Sequence, residues 1–140
     1  MIVLYGEMAS GKSKLALDLV KNRSKSLYLT LDNDFSLIKR LKELKVDYTL
    51  MKNCLLMDIK YRILERGGLL NNDLDFVVID SLNKITDQKD YEFKIKYLLD
   101  VEKDFQIKII STMNILKNTN LISKSIDNIE GVRFIPIIKK

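Results

Sequence analysis

Apolar and polar positions along the chain follow two periods in turn, which predicts strands that alternate with helices. Short apolar runs bounded by polar residues are typical of strands, and apolar residues three or four positions apart are typical of one face of a helix. The predicted strands are residues 2–5, 26–31, 46–50, 76–79, 107–112 and 132–138. The predicted helices begin near Lys14, Phe35, Leu56 and Tyr91. This order predicts one α/β domain over residues 1–140, with a mostly parallel sheet and helices on both of its faces.

Other parts of the pattern predict how these elements pack and end. The segment 81–89 is polar and is predicted to be a loop, and residues 113–131 show no stable period and are predicted to be a mobile loop or a weak helix. Pro136 lacks a backbone N–H, which predicts that the last strand lies at a sheet edge or contains a bulge. The first helix is predicted to contact the core through Leu15, Ala16 and Leu19.

Composition restricts the chemistry that is open to the chain. Apolar residues make up 46% of it and charged residues 31%, as in soluble globular proteins. No stretch approaches the roughly 18 apolar residues of a membrane span, so no membrane partner is expected. The single cysteine, Cys54, excludes an internal disulfide and favours a cytoplasmic location. Because the chain has no histidine, any catalysis must use carboxylates, lysine and a metal ion, which favours phosphoryl transfer.

The strongest chemical signal is the sequence GEMASGKS at residues 6–13, a complete match to G-x-x-x-x-G-K-[ST]. It lies between a predicted strand and a predicted helix, which is the context in which this loop binds phosphate groups. Lys12 is predicted to reach the β and γ phosphates of ATP, and the Ser13 hydroxyl to be one ligand of Mg²⁺. The residues predicted to bind the nucleotide are Gly6, Glu7, Met8, Ala9, Ser10, Gly11, Lys12, Ser13 and Lys14.

A second signal follows the apolar run at residues 76–79, which ends in Asp80. A continuous apolar run of this kind is typical of a parallel strand that is buried on both faces. Its carboxylate is predicted to hold Mg²⁺, directly or through water, from a strand that neighbours the strand before the phosphate loop.

Residues 6–16 (GEMASGKSKLA) resemble the phosphate loop of the RecA and RadA recombinase ATPases, and residues 76–82 (FVVIDSL) are similar to the strand of that family that ends in Asp-Ser. Residues 27–32 resemble its second strand, which implies that Asp32 activates the attacking water. Residues 109–114 resemble its sensor strand, which implies that Asn114 senses the γ-phosphate. Asp32 stands where the family has Glu, and Asn114 where it has Gln, so the resemblance implies an ATPase whose turnover is weak.

The same resemblance implies partners. The segment 113–131 lies where the recombinases carry a DNA-binding loop, and its Lys117 and Lys124 are expected to hold phosphates of single-stranded DNA. Arg133 and Lys139 resemble basic residues that the KaiC and DnaB-type ATPases extend into the nucleotide of a neighbouring subunit, which implies a homo-oligomer. The chain is too short for a full recombinase, so the resemblance implies a minimal core that acts in recombination or replication, on DNA or with a DNA-processing protein.

Two other functions remain open at this point. The sequence G-x-M-x-x-G-K-S also resembles the phosphate loop of thymidine kinases, and cobinamide kinases share the short strand at the start, so a small-molecule kinase is one alternative. Its lid would need clustered arginines or a zinc ribbon, whereas the chain has five dispersed arginines and one cysteine. The other alternative is a subunit that binds ATP without hydrolysing it.

Overall fold

A sheet of six strands, all paired in parallel, forms the centre of the molecule. The structure is a computed structural model, and it describes residues 1–7, 9–23, 25–32, 34–67, 74–114 and 129–138. The strands are β1 (Ile2–Gly6), β2 (Ser26–Thr30), β3 (Tyr48–Leu50), β4 (Phe76–Asp80), β5 (Lys108–Asn114) and β6 (Arg133–Pro136). The helices are α1 (Lys12–Val20), α2 (Phe35–Glu43), α3 (Leu56–Gly67) and α4 (Tyr91–Phe105), and a short 3₁₀ turn covers Leu82–Lys84. The predicted α/β class with a parallel sheet is confirmed.

The helices cover both faces of the sheet, as the sequence predicts. Alternate residues of the buried strands face opposite sides, so Val77 and Ile79 of β4 contribute to one core cluster and Val78 to the other. The first cluster also contains buried residues of α3 and α4, and the second contains those of α1 and α2. Because all strands are parallel, their carboxyl ends meet at one edge of the sheet, where the loop after β1 and the end of β4 both lie.

The strand order is β3-β2-β4-β5-β1-β6, which corrects one prediction. The sequence predicts that the strand of Asp80 neighbours β1, but β5 lies between β1 and β4. Each of these strands contains a short apolar run, and such a run carries no information on which strands pair. The insertion of β5 places Thr112 and Asn114 between the phosphate loop and Asp80.

Two further predictions concern the ends of the sheet and the packing of α1. Among the described strands, β6 pairs with β1 alone, so the edge position predicted from Pro136 is confirmed. The predicted core contacts of α1 were wrong in part: Leu17 and Val20 are fully buried, whereas Leu19 is 42% exposed. Nearly every position of this helix between 15 and 20 is apolar, so its period does not define the buried face.

The segment 81–89 is predicted to be a polar loop, but its first half packs against the core. Leu82 is fully buried and Ile85 is 3% exposed, and both belong to the cluster that contains α3 and α4. The 3₁₀ turn is therefore anchored rather than solvated. In the ranges that the structure describes, no helix combines the length and the apolar character needed to cross a bilayer.

Candidate nucleotide-binding site

The loop between β1 and α1 has a backbone that depends on its two glycines. A Cβ atom at Gly6 would lie 2.4 Å from the carbonyl oxygen of Ile137, so a side chain does not fit there. Gly11 caps the N-terminus of α1 with φ of 96°, a conformation that favours glycine, and Ala9 also has a positive φ, 60°. These turns bring the loop over the first turn of α1, where backbone N–H groups without helical partners attract anions. Met8 lies outside the described residues.

Lys12, in the first turn of α1, is 6% exposed, and its ammonium makes its hydrogen bonds with neutral oxygens. Its Nζ donates to the carbonyl oxygens of Gly6, at 3.1 Å, and Glu7, and to the Ser10 hydroxyl at 3.2 Å. Among the described residues, no carboxylate lies within 4 Å of this Nζ. Burial lowers the pKa of Lys12, and the charge of Asp80 opposes that shift. A buried ammonium in such surroundings fits a site for a phosphate group.

Asp80, the last residue of β4, is 3% exposed and accepts hydrogen bonds from three hydroxyl groups. Its Oδ1 accepts from Ser13 at 3.1 Å and from Thr112 at 2.7 Å, and its Oδ2 accepts from Tyr28 at 2.5 Å. The structure thus brings the two predicted metal ligands, Ser13 and Asp80, into contact. Carboxylate and hydroxyl oxygens are ligands that suit Mg²⁺, and the buried carboxylate supplies the charge, so these residues fit that ion.

Tyr28 is a member of this cluster that the sequence analysis did not identify. It is fully buried in β2, and its hydroxyl lies between Asp80 and the carbonyl oxygen of Ser13, 3.5 Å away. Burial raises the pKa of Tyr28, and the nearby charge of Asp80 raises it further. An apolar strand pattern gives no signal for such a role, because tyrosine is common in strands.

The residues predicted to act on the γ-phosphate line a cleft beside the loop. This cleft has a volume of about 410 Å³, and its walls include Lys12, Asp32, Asp80 and Asn114. Lys14, also predicted to bind the nucleotide, is exposed and lines the same cleft. The described residues therefore place the phosphate loop, both predicted metal ligands and both predicted γ-phosphate residues around one space.

Asp32 and Asp34 follow β2 closely but have different environments. The carboxylate of Asp34 caps α2 by accepting from the backbone N–H groups of Ser36 and Leu37. The carboxylate of Asp32 is half-exposed and pairs with Lys84, with 3.6 Å between Nζ and Oδ1. Both also line an adjoining cleft of about 610 Å³, which extends past Asp80 to the exposed ring of Phe35.

Asn83, in the 3₁₀ turn, holds the end of β5 and was missed by the sequence analysis. Its Oδ1 accepts from the backbone N–H of Asn114 at 2.7 Å, and its Nδ2 donates to the Asn114 carbonyl oxygen at 3.1 Å and to the Tyr91 hydroxyl. The side-chain Nζ of Lys94, which is 2% exposed, donates to the carbonyl oxygen of Leu82 at 2.9 Å. A signal for Lys94 existed, because it occupies a position on the apolar stripe of α4.

Some predicted residues do not come to this site. Arg133 begins β6 and pairs with Ile2, so it lies at the opposite end of the strands from the phosphate loop. Lys117, Lys124 and Lys139 lie outside the described residues.

Comparison with known proteins gives support at the level of fold. No protein-family model matches the sequence, and no curated protein matches it. Among solved structures, one described as a DnaB-like replicative helicase and its interactions with primase has a TM-score of 0.55 and 12% identity, and the match covers 84% of this chain and 39% of that chain. A second solved structure, described as an ATPase domain, has a TM-score of 0.53 and 11% identity, with coverage of 83% of this chain and 57% of that chain. The chain thus spans less than two thirds of either matched chain, and a likeness at this level of identity shows a shared α/β fold.

Proposed function

We propose that the chain is a Mg²⁺-dependent ATP-binding protein that hydrolyses ATP slowly. One observation carries this proposal: the buried Lys12 ammonium, bonded to neutral oxygens, lies across one cleft from the buried Asp80 carboxylate, which is bonded to hydroxyl groups. Each charge needs a partner of opposite sign to offset its burial. A polyphosphate with its metal ion provides both, with the anion at Lys12 and the cation at Asp80.

The roles of the residues follow from their positions. Lys12 and the backbone N–H groups of the loop would bind the phosphate groups, and Ser13 with Asp80 would hold Mg²⁺. When bound, Mg²⁺ neutralises charge that develops on the phosphate oxygens. Asp32 would orient a water molecule and accept its proton, and Asn114 would contact the γ-phosphate from the end of β5.

A second candidate is nucleotide binding without turnover, and the pairing of Asp32 with Lys84 favours it. The Asp32 carboxylate must give up its contact with Lys84 to orient a water molecule, and aspartate is one methylene shorter than the glutamate of the RecA and RadA family. In this case the chain would change its conformation with ATP and release no phosphate.

The biological output that we propose is a coupling of the nucleotide to single-stranded DNA or to a DNA-processing protein. One of the structural neighbours is a replicative helicase, and Asn114 directly precedes residues 115–128, which contain the lysines expected to bind DNA. Arg133 lies away from the cleft of its own chain, so a role for it at a nucleotide requires a second copy.

The test combines nucleotide binding with phosphate release. ATP should bind only with Mg²⁺, and Lys12→Ala should lose that binding, whereas Lys25→Ala should keep it, because Lys25 is exposed before β2 at the other end of the sheet. Phosphate release that single-stranded DNA stimulates would support the coupled ATPase. Binding without release would support the second candidate, and phosphate transfer to an added nucleoside would favour a kinase instead. Equal ATP affinity of Lys12→Ala and the parent would overturn the nucleotide site.

A further inference from the structure

We propose that Lys84 is a ligand of the γ-phosphate within the same chain, and that it leaves Asp32 when it binds that group. This inference rests on the proposed function and adds to it the means by which the site distinguishes ATP from ADP. The phosphate-loop motif and the Asp-Ser strand do not include Lys84, which follows Asp80 by four positions.

Lys84 lies beside the residues that fit the metal ion. Lys84 lines the 610 Å³ cleft together with Ser13 and Asp80, the two residues that fit the metal ion, and with Asn114 at the end of β5. If Ser13 and Asp80 hold the metal ion, a γ-phosphate beside it would border the space that the Lys84 side chain lines. Lys12 lines the adjoining 410 Å³ cleft, and Ser13 and Asp80 line both clefts, so Lys84 would add a second cation on the 610 Å³ side of the metal ligands.

The backbone that carries Lys84 is held in place by contacts with the core and with β5. The 3₁₀ turn is held by Asn83, which makes two hydrogen bonds with the backbone of Asn114, and by the fully buried side chain of Leu82. The carbonyl oxygen of Leu82 also accepts from the buried Lys94. The turn therefore presents Lys84 at a fixed place, and only its flexible side chain needs to move to change partners.

The ion pair between Lys84 and Asp32 is weak. The ammonium of Lys84 and the carboxylate of Asp32 are 3.6 Å apart, beyond ordinary hydrogen-bond distance, and their side chains are 58% and 42% exposed. Ion pairs this exposed contribute little to stability. A γ-phosphate carries more negative charge than one carboxylate and offers several acceptor oxygens, so Lys84 gains by the exchange.

The exchange has a consequence for the reaction. While the γ-phosphate is absent, the Asp32 carboxylate contacts the Lys84 ammonium instead of a water molecule. When Lys84 moves to the phosphate, the Asp32 carboxylate becomes free to accept a proton from water. ADP lacks the group that attracts Lys84, so it leaves the pair in place.

The test compares the affinities for ATP and ADP, each measured with Mg²⁺ by calorimetry on the full chain. Lys84→Met should weaken ATP binding about tenfold, the lower end of the range for a charged hydrogen bond, and leave ADP affinity unchanged. Lys84→Arg, which keeps the charge, should retain the preference for ATP. Lys89→Met removes an equal charge from the same segment, at an exposed position that does not line either cleft, and should change neither affinity.

A second variant tests the exchange itself. Asp32→Asn should strengthen ATP binding because it frees Lys84, and this gain should shrink when Lys84→Met is present. Equal effects of Lys84→Met on ATP and ADP, or no effect on either, would overturn the inference and leave the proposed nucleotide site intact. A parent chain that binds neither nucleotide would overturn the proposed function and this inference with it.

Discussion

The side chain of Asn83 makes two hydrogen bonds with the backbone of Asn114: its Oδ1 accepts from the N–H of Asn114, and its Nδ2 donates to the carbonyl oxygen of Asn114. Asn83 belongs to the turn after β4, and Asn114 is the last residue of β5, so these bonds join the ends of neighbouring strands. The position of the predicted γ-phosphate sensor is therefore set by a residue that follows the predicted metal ligand, Asp80.

Replacing Asn83 by alanine should destabilise the protein. The change removes the two hydrogen bonds with Asn114 and the one with the Tyr91 hydroxyl, and it leaves a half-buried N–H of Asn114 without its partner, which should lower the free energy of unfolding by about 1–3 kcal/mol. Urea denaturation measures the change. Asn22→Ala is the matched control, since Asn22 is exposed in the turn after α1 and should tolerate alanine within about 0.5 kcal/mol. If both variants unfold at the same urea concentration as the parent, solvent replaces the bonds at no cost.

Much of the architecture could be predicted from the sequence, because the two periods separate buried strands from amphipathic helices. The strand that ends in Asp80, for example, is apolar at every position before that residue, and both of its faces are buried in the structure. The order of strands could not be predicted, because β1, β4 and β5 have similarly apolar patterns. The edge position of β6 was an exception, since Pro136 lacks the N–H that an inner strand would use.

The residues of the candidate site also fall into two groups, those that the sequence predicts and those that it does not. Its phosphate loop and Asp80 were found because they depend on local residue types at fixed spacing. Tyr28, Asn83 and Lys84 act through contacts between residues distant in sequence, which a single sequence does not encode in any pattern. Asn83 and Lys84 also lie in a segment that polarity alone assigned to a solvated loop.

Tyr28→Phe should lower the free energy of unfolding by about 1.5–3 kcal/mol at neutral pH, because the hydroxyl bonds to a charged carboxylate. The pKa of Tyr28 is raised in the folded protein, so the stability from its protonated hydroxyl is fully present below its ordinary value of 10.0. That contribution is lost as the pH rises from there. The difference between parent and variant should therefore shrink above pH 10.0, as denaturation at several pH values measures. Tyr48→Phe is the control, since the half-buried Tyr48 lies on β3, away from Asp80. If the difference in free energy of unfolding between the parent and Tyr28→Phe stays constant with pH, the hydrogen bond between Tyr28 and the Asp80 carboxylate is not its source.

Lys12→Met should be at least as stable as the parent at neutral pH, although it should not bind ATP. Burial lowers the pKa of Lys12 in the folded protein below its ordinary value of 10.5. At pH values below 10.5, protonation of Lys12 therefore favours the unfolded state. Methionine keeps the apolar stem and removes the charge. The stability advantage of the variant should decrease as the pH rises towards 10.5, and guanidinium titrations across that range measure it. A parent that is clearly more stable than Lys12→Met at neutral pH would show that the hydrogen bonds of the ammonium outweigh its burial.

Asp80→Asn should weaken the effect of Mg²⁺ on nucleotide binding. The amide keeps the shape of the side chain but loses the charge that suits a divalent ion, so ATP affinity should become nearly independent of the Mg²⁺ concentration. A titration of Mg²⁺ at fixed ATP measures this. Asp34→Asn is a useful comparison, because Asp34 lines the cleft yet its carboxylate caps α2, so its variant should keep the metal dependence. An unchanged metal titration in Asp80→Asn would remove Asp80 from the site.

Single-stranded DNA should bind through phosphate contacts if the proposed coupling is correct. Two lysines, Lys117 and Lys124, are expected to neutralise two phosphates, which predicts a slope of about −1.4 for the logarithm of affinity against the logarithm of salt concentration. Replacing both by alanine should flatten that slope by about the same amount. Because Asn114 precedes the segment that carries them, ATP should change the affinity for DNA, and DNA should change the affinity for ATP by an equal factor. Fluorescence anisotropy with a labelled oligonucleotide measures the slope, its change and the effect of ATP on DNA affinity, and an ATP titration with and without DNA measures the reciprocal effect. Absence of DNA binding at low salt, with ATP and Mg²⁺ present, would refute the coupling and leave the nucleotide site unaffected.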